Sequence, residues 1–166
     1  MKSMKKTMYL VHGAVIAALY VVLTYLAAGF DLASGAIQVR FSEALTILPF
    51  FTPAAIPGLG IGCLLANTLL GSPLPDVVFG TLATVLGALG TYALRKHRFL
   101  APIPPILSNA IIIPFVLKYA YTDIPGSIPY FMLTVGAGEL IAAGVFGLIL
   151  LHALLPLRHR IFGEQH

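Results

Sequence analysis

Residues 8–29 form an apolar run that contains no Asp, Glu, Lys or Arg. A helix needs roughly 20 residues to cross the hydrocarbon core of a bilayer, which is about 30 Å thick. The run is longer than the apolar core of a cleavable signal peptide. We therefore expect a permanent first membrane helix, and this helix restricts the folds that the rest of the chain can adopt.

Five further apolar segments follow, and prolines mark most of the junctions between them. Proline starts or stops a helix because it lacks the backbone N–H and fixes φ. Charged residues make up only 10% of the chain, against about 25% in a soluble domain. The sequence therefore predicts an all-α membrane protein with six transmembrane helices. The later segments cover residues 41–51, 56–70, 77–94, 101–119 and 129–155.

The second and third of these segments are short for a membrane span. We expect them to be tilted, to meet thinned bilayer or to form a pair buried among the other helices. The whole chain, residues 1–166, is expected to form a single integral membrane domain.

Basic residues predict the orientation in the membrane. Eight of the ten Lys and Arg residues fall before the first segment, between the fourth and fifth, or after the sixth. With six crossings these three clusters lie on one side, which the positive-inside rule assigns to the cytoplasm. Both termini are therefore expected to be cytoplasmic. The clusters are Lys2, Lys5 and Lys6, then Arg95, Lys96 and Arg98, then Arg158 and Arg160.

Several classes of function lack their sequence signatures. The single cysteine, Cys63, and five scattered histidines predict no metal site. No Walker motif or dinucleotide-binding glycine fingerprint occurs, and the glycines of residues 58–62 favour close helix packing. No His is near Glu43 or Glu139 in sequence, so an intramembrane enzyme is not expected. The basic residues separate apolar blocks, which indicates a membrane partner and no direct nucleic acid binding.

Polar residues inside apolar segments are informative because a charge at the bilayer centre costs from about 2.5 to more than 10 kcal/mol. Gln38, Arg40 and Glu43 lie at the entrance to the second segment. Arg40 and Glu43 are three residues apart, so they share a helix face and could form a local ion pair. The alternative is a polar wall of a binding site, with a carboxylate acceptor, a fixed cation and an amide.

Later segments carry four more such residues. Asp76 directly precedes the fourth segment, where it could bind a ligand or simply cap a helix. Asn67 and Asn109 each need a partner inside an apolar helix, which a neighbouring helix or a ligand could supply. Glu139 lies some ten residues into the sixth segment among small residues, which make room for another helix or for a ligand.

These positions gather toward the predicted outer half of the molecule. Their carboxylates, amides and single arginine suit a small polar ligand that offers several N–H donors, and Phe79 could stack on a flat ring. On the first helix, Ala14 and Ala18 share a face in a small-xxx-small pattern. That face could pack within the chain or dock on another membrane protein.

Three sequence blocks carry a family resemblance. Residues 39–49 (VRFSEALTILP), 63–67 (CLLAN) and 76–84 (DVVFGTLAT) resemble the QueT group of substrate-binding S components of energy-coupling factor (ECF) transporters. Six helices, cytoplasmic termini and the Ala14–Ala18 face also fit that family. The resemblance covers nearly the whole chain and implies a bacterial cell membrane protein.

The resemblance implies import of a queuosine precursor, most directly prequeuosine base, 7-aminomethyl-7-deazaguanine. One of Glu43 and Glu139 would accept the N–H donors of the guanine-like edge, and the other would pair with the aminomethyl cation. The roles of the two carboxylates are left open. The ligand's remaining hydrogen bonds would come from Gln38, Arg40, Asn67, Asp76 and Asn109.

The resemblance also implies the partners. Ala14 and Ala18 would dock on a transmembrane coupling subunit, and two cytoplasmic ATPase subunits would use ATP, while this chain itself binds no cofactor.

Two alternatives for the function stay open. The chain could be an S component for queuine, another vitamin or another purine-like base, or it could be a stand-alone secondary transporter.

Overall fold

Six helices make up the described part of the chain, which in this computed structural model comprises residues 2–30, 40–121 and 124–163. The prediction of six helical segments is confirmed, with end residues shifted by a few positions, most at the two chain ends. Helices 1 to 6 are Lys2–Gly29, Phe41–Phe50, Ala55–Leu69, Leu74–Ala93, Ile103–Ala120 and Ile128–Phe162.

Four of these helices are long and apolar enough to cross a membrane, namely helices 1, 4, 5 and 6. Helices 2 and 3 are apolar but shorter, with 10 and 15 residues. The expectation that the second and third helices are short is confirmed. The number of full crossings and the side on which the termini lie stay predictions.

Helix 2 occupies the centre of the bundle, where it packs against helices 1, 3, 4 and 6. Seven of its ten residues are buried. It is a 3₁₀ helix, which rises about 2.0 Å per residue and so extends roughly 20 Å over ten residues. Glu43, near its first turn, is 2% exposed and therefore lies inside the bundle.

Helices 1 and 3 run parallel and touch through glycine. A Cβ at Gly58 would lie 2.7 Å from the Gly13 carbonyl oxygen, and one at Gly62 would lie 2.7 Å from Tyr20 Cβ. Contacts this short leave no room for a side chain, so the expectation of close packing at residues 58–62 is confirmed. The same contact fixes Tyr20 against helix 3.

Helix 6 is continuous from Ile128 to Phe162 but changes its winding on the way. An α-helical part ends at Glu139, and a π-helical segment, Leu140–Phe146, follows directly. Such segments are rare and frequently occur at functional sites. The ideal Cβ of Gly147 lies 3.7 Å from the Ala44 carbonyl oxygen, so a small residue lets helix 6 approach helix 2 here.

The two ends of the bundle differ in charge. At one end, called the site end below, helices 1, 3 and 5 finish and helices 2, 4 and 6 begin. The opposite end, called the basic end, carries the connection between helices 4 and 5 and the final turns of helix 6. Between the ends lies an apolar core of helices 1 to 3, which includes Ile16, Leu45 and Leu59.

Candidate ligand-binding site

A group of polar side chains from all six helices and their connections lies toward the site end, and we call it the polar cluster. Its titratable and amide members are almost fully buried, except Arg40, whose side chain is 21% exposed, and Tyr121, which is partly exposed. The polar cluster consists of Tyr20, Arg40, Glu43, Asn67, Asp76, Asn109, Tyr121 and Glu139.

Glu43 is held by two neighbouring helices. The Tyr20 hydroxyl of helix 1 donates to its Oε1 at 2.5 Å, and Asn109 Nδ2 of helix 5 donates to its Oε2 at 3.4 Å. A further contact between helices 1 and 2 lies beside Glu43, where the Thr24 hydroxyl donates to the Ser42 hydroxyl at 2.9 Å. Both oxygens of the Glu43 carboxylate therefore have partners, and the side chain is fixed in place.

Glu139 lies close to Glu43 but is held less completely. The two carboxylates interact electrostatically, and Asn109, which donates to Glu43, also lies beside Glu139. The Oε2 atom of Glu139 is buried and has no hydrogen-bond partner among the described residues. A buried acceptor without a partner is unfavourable by about 1–3 kcal/mol, and more if it is charged. This oxygen is therefore available to a ligand.

Asp76 forms a second centre. Its Oδ2 accepts from the Tyr121 hydroxyl at 2.6 Å and lies 3.9 Å from Arg40 Nη2. Burial, together with the hydrogen bond to Asp76, raises the pKa of Tyr121 to about 12. The other oxygen, Oδ1, is buried and has no hydrogen-bond partner within the described ranges.

This arrangement decides between alternatives for two residues. Arg40 forms its ion pair with Asp76 on helix 4 and not with Glu43. The ion pair therefore connects two helices. Asp76 is not the N-cap of helix 4, because Pro73 takes that position without a side-chain hydrogen bond. Both polar side chains therefore face the interior of the bundle.

Asn67 connects helices 3 and 4. Its Nδ2 donates to the Asp76 carbonyl oxygen at 3.4 Å and lies 3.6 Å from the Cys63 sulfur. The helix–helix hydrogen bond considered for this amide is present in the structure. It also brings Asn67 next to the backbone of Asp76, inside the polar cluster.

The remaining sequence-predicted residues lie elsewhere. Gln38 falls outside the described residues. Phe79 is 48% exposed and lines an apolar groove of about 440 Å³ between helices 4 and 5, so the structure does not bring it to the polar cluster. Ala14 and Ala18 are both on the exposed face of helix 1 and are not packed within the described chain.

Two cluster residues were not predicted from the sequence, Tyr20 and Tyr121. Tyr20 lies within an apolar run and is 1% exposed. A buried tyrosine hydroxyl needs a hydrogen-bond partner, and this is the signal that could have marked it. Tyr121 directly follows helix 5, where an aromatic residue at a membrane boundary has no distinguishing pattern.

The polar cluster reaches from the site end toward the middle of the bundle. Asp76 lies in the first turn of helix 4. Glu139 is the last residue of the α-helical part Ile128–Glu139, and at about 1.5 Å per residue it lies roughly 17 Å from the start of helix 6. A ligand bound between these carboxylates would be deep in the bundle.

The chemistry of the polar cluster is that of an acceptor site. Three carboxylates face a single cationic side chain, Arg40, so the cluster carries excess negative charge when its acids are ionised. No group of three His, Cys, Asp or Glu side chains in the described part of the chain is arranged to hold a metal ion. The arrangement suits a small molecule with several N–H donors and a positive charge.

Long apolar helices that surround a buried polar cluster are typical of a multi-pass helical membrane protein. A family model described as QueT transporter matches residues 10–156. The chain belongs to the QueT transporter family, which is a family of transporters and not of enzymes.

A named relative supports this membership. The queuosine precursor transporter QueT of Lactococcus lactis subsp. cremoris (strain MG1363) is 38% identical over 81 residues. The match covers 49% of this chain and 47% of that protein, so the chain spans about half the length of the curated relative it matches. No solved structure is significantly similar to the chain.

Proposed function

We propose that this chain is the high-affinity substrate-binding subunit, or S component, of an ECF-type importer that takes up prequeuosine base, 7-aminomethyl-7-deazaguanine. Membership of the QueT transporter family supports a transport function. The name of the Lactococcus relative supports a queuosine precursor as the substrate class. The geometry of the polar cluster supports the particular ligand chemistry.

The observation that carries the proposal is the pair of buried carboxylate oxygens without partners, Glu139 Oε2 and Asp76 Oδ1. The guanine-like edge of prequeuosine base offers adjacent N–H donors, and its aminomethyl group is a cation. Together these groups would supply hydrogen bonds to both oxygens and offset the excess negative charge. Buried carboxylates strongly favour such pairing because an unpaired buried charge is costly.

In this proposal the carboxylates have different tasks. Glu139 and Asp76 contact the ligand through their partnerless oxygens, while Glu43, already bonded by Tyr20 and Asn109, fixes the amide that lies beside Glu139. The proposal places the aminomethyl cation at Glu139, and Glu43, which lies beside Glu139, adds to the negative potential there. Arg40 and Asn67 add hydrogen bonds to the ligand, and Gln38, which lies outside the described residues, stays a proposed contact. Phe79 takes no part, because it lies on the exposed face of helix 4.

The proposed topology has six crossings in the bacterial cell membrane, with both termini in the cytoplasm. Within the described residues, the Lys and Arg side chains gathered at the basic end support this orientation under the positive-inside rule. The polar cluster would then open to the outside, where a scavenged ligand arrives.

The energy for uptake would come from partners. The sequence has no nucleotide-binding motif, so ATP would be used by two cytoplasmic ATPase subunits. Ala14 and Ala18, exposed on helix 1, would dock on a transmembrane coupling subunit. Small residues permit close contact between helices in a bilayer, and this is the physical support for a docking role. The loaded subunit would then reorient and release ligand inside.

Reconstitution into vesicles tests the function. We expect vesicles that contain this chain alone to bind labelled 7-aminomethyl-7-deazaguanine without accumulating it. Accumulation should require the coupling subunit, both ATPases and ATP on the side of the membrane where the ATPases lie. Vesicles with a catalytically dead ATPase provide the control. Uptake by the chain alone, driven by an ion gradient, would identify a secondary transporter and contradict the proposal.

A further inference from the structure

A second cavity lies at the basic end, far from the polar cluster. Its volume is about 760 Å³, and it is lined by the connection between helices 4 and 5, the end of helix 2 and the last turns of helix 6. Ligand sites commonly have volumes of about 300–1,000 Å³. Its basic lining residues are Arg95, Lys96, Arg98, Arg158 and His159.

The cavity has no negative side chain among the described residues. Three of the six Asp and Glu residues, Glu43, Asp76 and Glu139, belong to the polar cluster. Asp31, Asp123 and Glu164 lie outside the described residues. In the described ranges the one ion pair is Arg40–Asp76. The four Lys and Arg side chains of the cavity therefore gather without a described counter-charge.

Neutral groups hold two of these cations in position. The Arg95 guanidinium lies over the Tyr92 ring, 4.2 Å from its centroid. Arg158 Nε donates to His159 Nε2 at 3.1 Å. Both contacts orient the guanidinium groups without cancelling their charge. Planar guanidinium groups bind phosphate oxygens well because their N–H donors match that geometry.

The rest of the lining is apolar and aromatic. Phe51 and Phe162 stack with centroids 5.2 Å apart and planes at 7°. Beside the cavity, Phe99 is 66% exposed and Leu157 is 42% exposed. A soluble anion would contact only the cationic side chains, whereas an anionic lipid would contact both these cations and the adjoining apolar side chains.

We propose that the basic cavity binds the phosphate group of an anionic phospholipid. The guanidinium groups of Arg95, Arg98 and Arg158 contact the phosphate, and acyl chains cover the adjoining apolar side chains. Basic pockets between helices at a membrane surface are known to select anionic headgroups. The site is independent of the polar cluster, and its occupant tethers the connection between helices 4 and 5 to the end of helix 6.

Binding of fluorescent phosphatidylglycerol to the purified full-length chain in a non-ionic detergent tests the site. The triple variant Arg95→Gln, Arg98→Gln and Arg158→Gln should bind on the order of 100-fold more weakly, because each basic residue near an anionic headgroup contributes roughly a fivefold factor. The matching triple replacement by lysine keeps the charge and should retain most of the affinity. Lys6→Gln removes an exposed cation of the same end outside the cavity and should change nothing.

Competitors identify the source of the phosphate group. Unlabelled phosphatidylglycerol should displace the probe, while phosphatidylcholine and millimolar inorganic phosphate should not. Displacement by inorganic phosphate alone would assign the cavity to a soluble anion and overturn the lipid assignment. Equal binding of phosphatidylcholine, or full retention by the triple glutamine variant, would overturn the proposal. The proposal would also be overturned if neither phosphatidylglycerol nor inorganic phosphate bound. An acidic segment of a partner protein would then be the remaining candidate occupant.

Discussion

Glu139→Gln is expected to weaken binding of 7-aminomethyl-7-deazaguanine to the purified chain by on the order of 100-fold. Glutamine keeps the size of the side chain but removes the negative charge beside the cationic aminomethyl group. It also replaces an acceptor oxygen by an N–H₂ donor. Loss of a hydrogen bond to a buried charged group is worth ~2–3 kcal/mol, which corresponds to this change in Kd.

Isothermal titration calorimetry of the detergent-solubilised variant measures the effect. Guanine, which lacks the aminomethyl cation, should lose less affinity than 7-aminomethyl-7-deazaguanine in the same variant. Glu43→Gln should show a smaller loss than Glu139→Gln, since Tyr20 and Asn109 already occupy both Glu43 oxygens. Thr68→Val is a control, because Thr68 is exposed and its hydroxyl donates to the Leu64 carbonyl oxygen. An unchanged affinity in Glu139→Gln would remove this residue from the site.

Ala14→Trp is expected to abolish ATP-dependent uptake in vesicles that contain the complete transporter while leaving ligand binding intact. Ala14 is exposed, so a bulky ring there meets no described part of the chain. The ring would instead prevent close approach of a partner helix. Because Ala14 lies outside the polar cluster, Kd should stay within about twofold of the unsubstituted chain.

Leu19→Trp is the matched control for this docking face. Leu19 is 45% exposed on the same helix, and at 3.6 residues per turn it lies about 140° around the axis from Ala14. Uptake should persist in this variant. Equal loss of uptake in both variants would indicate a general effect on helix 1. Normal uptake by Ala14→Trp would exclude this face as the docking surface.

Much of the fold follows from the sequence because membrane helices have a simple physical requirement. Long apolar runs and the prolines between them are local properties, so the six helical segments could be predicted within a few residues at most of their ends. The polar members Glu43, Asn67, Asp76, Asn109 and Glu139 could be singled out because polar groups are unfavourable at that depth. The winding of helix 2 and the π-helical segment after Glu139 carry no comparable signal.

Pairing within the polar cluster was less predictable, because it depends on which helix faces touch. Arg40 lies close in sequence to Glu43, but packing of helix 2 against helix 4 gives it Asp76 as its partner. Tyr20 and Tyr121 look like ordinary aromatic residues until the partners of their hydroxyls are known. Phe79 shows the reverse case: its sequence position is close to Asp76, but its helix face points outward.

Calorimetric titration of the purified chain with 7-aminomethyl-7-deazaguanine, guanine and queuine tests the central claim most directly. The proposed site predicts tight, one-to-one binding of the aminomethyl compound without any partner subunit. It also predicts weaker binding of guanine, which lacks the cation, and of queuine, which carries a larger substituent on its amine. Absence of binding by all three compounds would contradict the assignment of the polar cluster to a queuosine precursor.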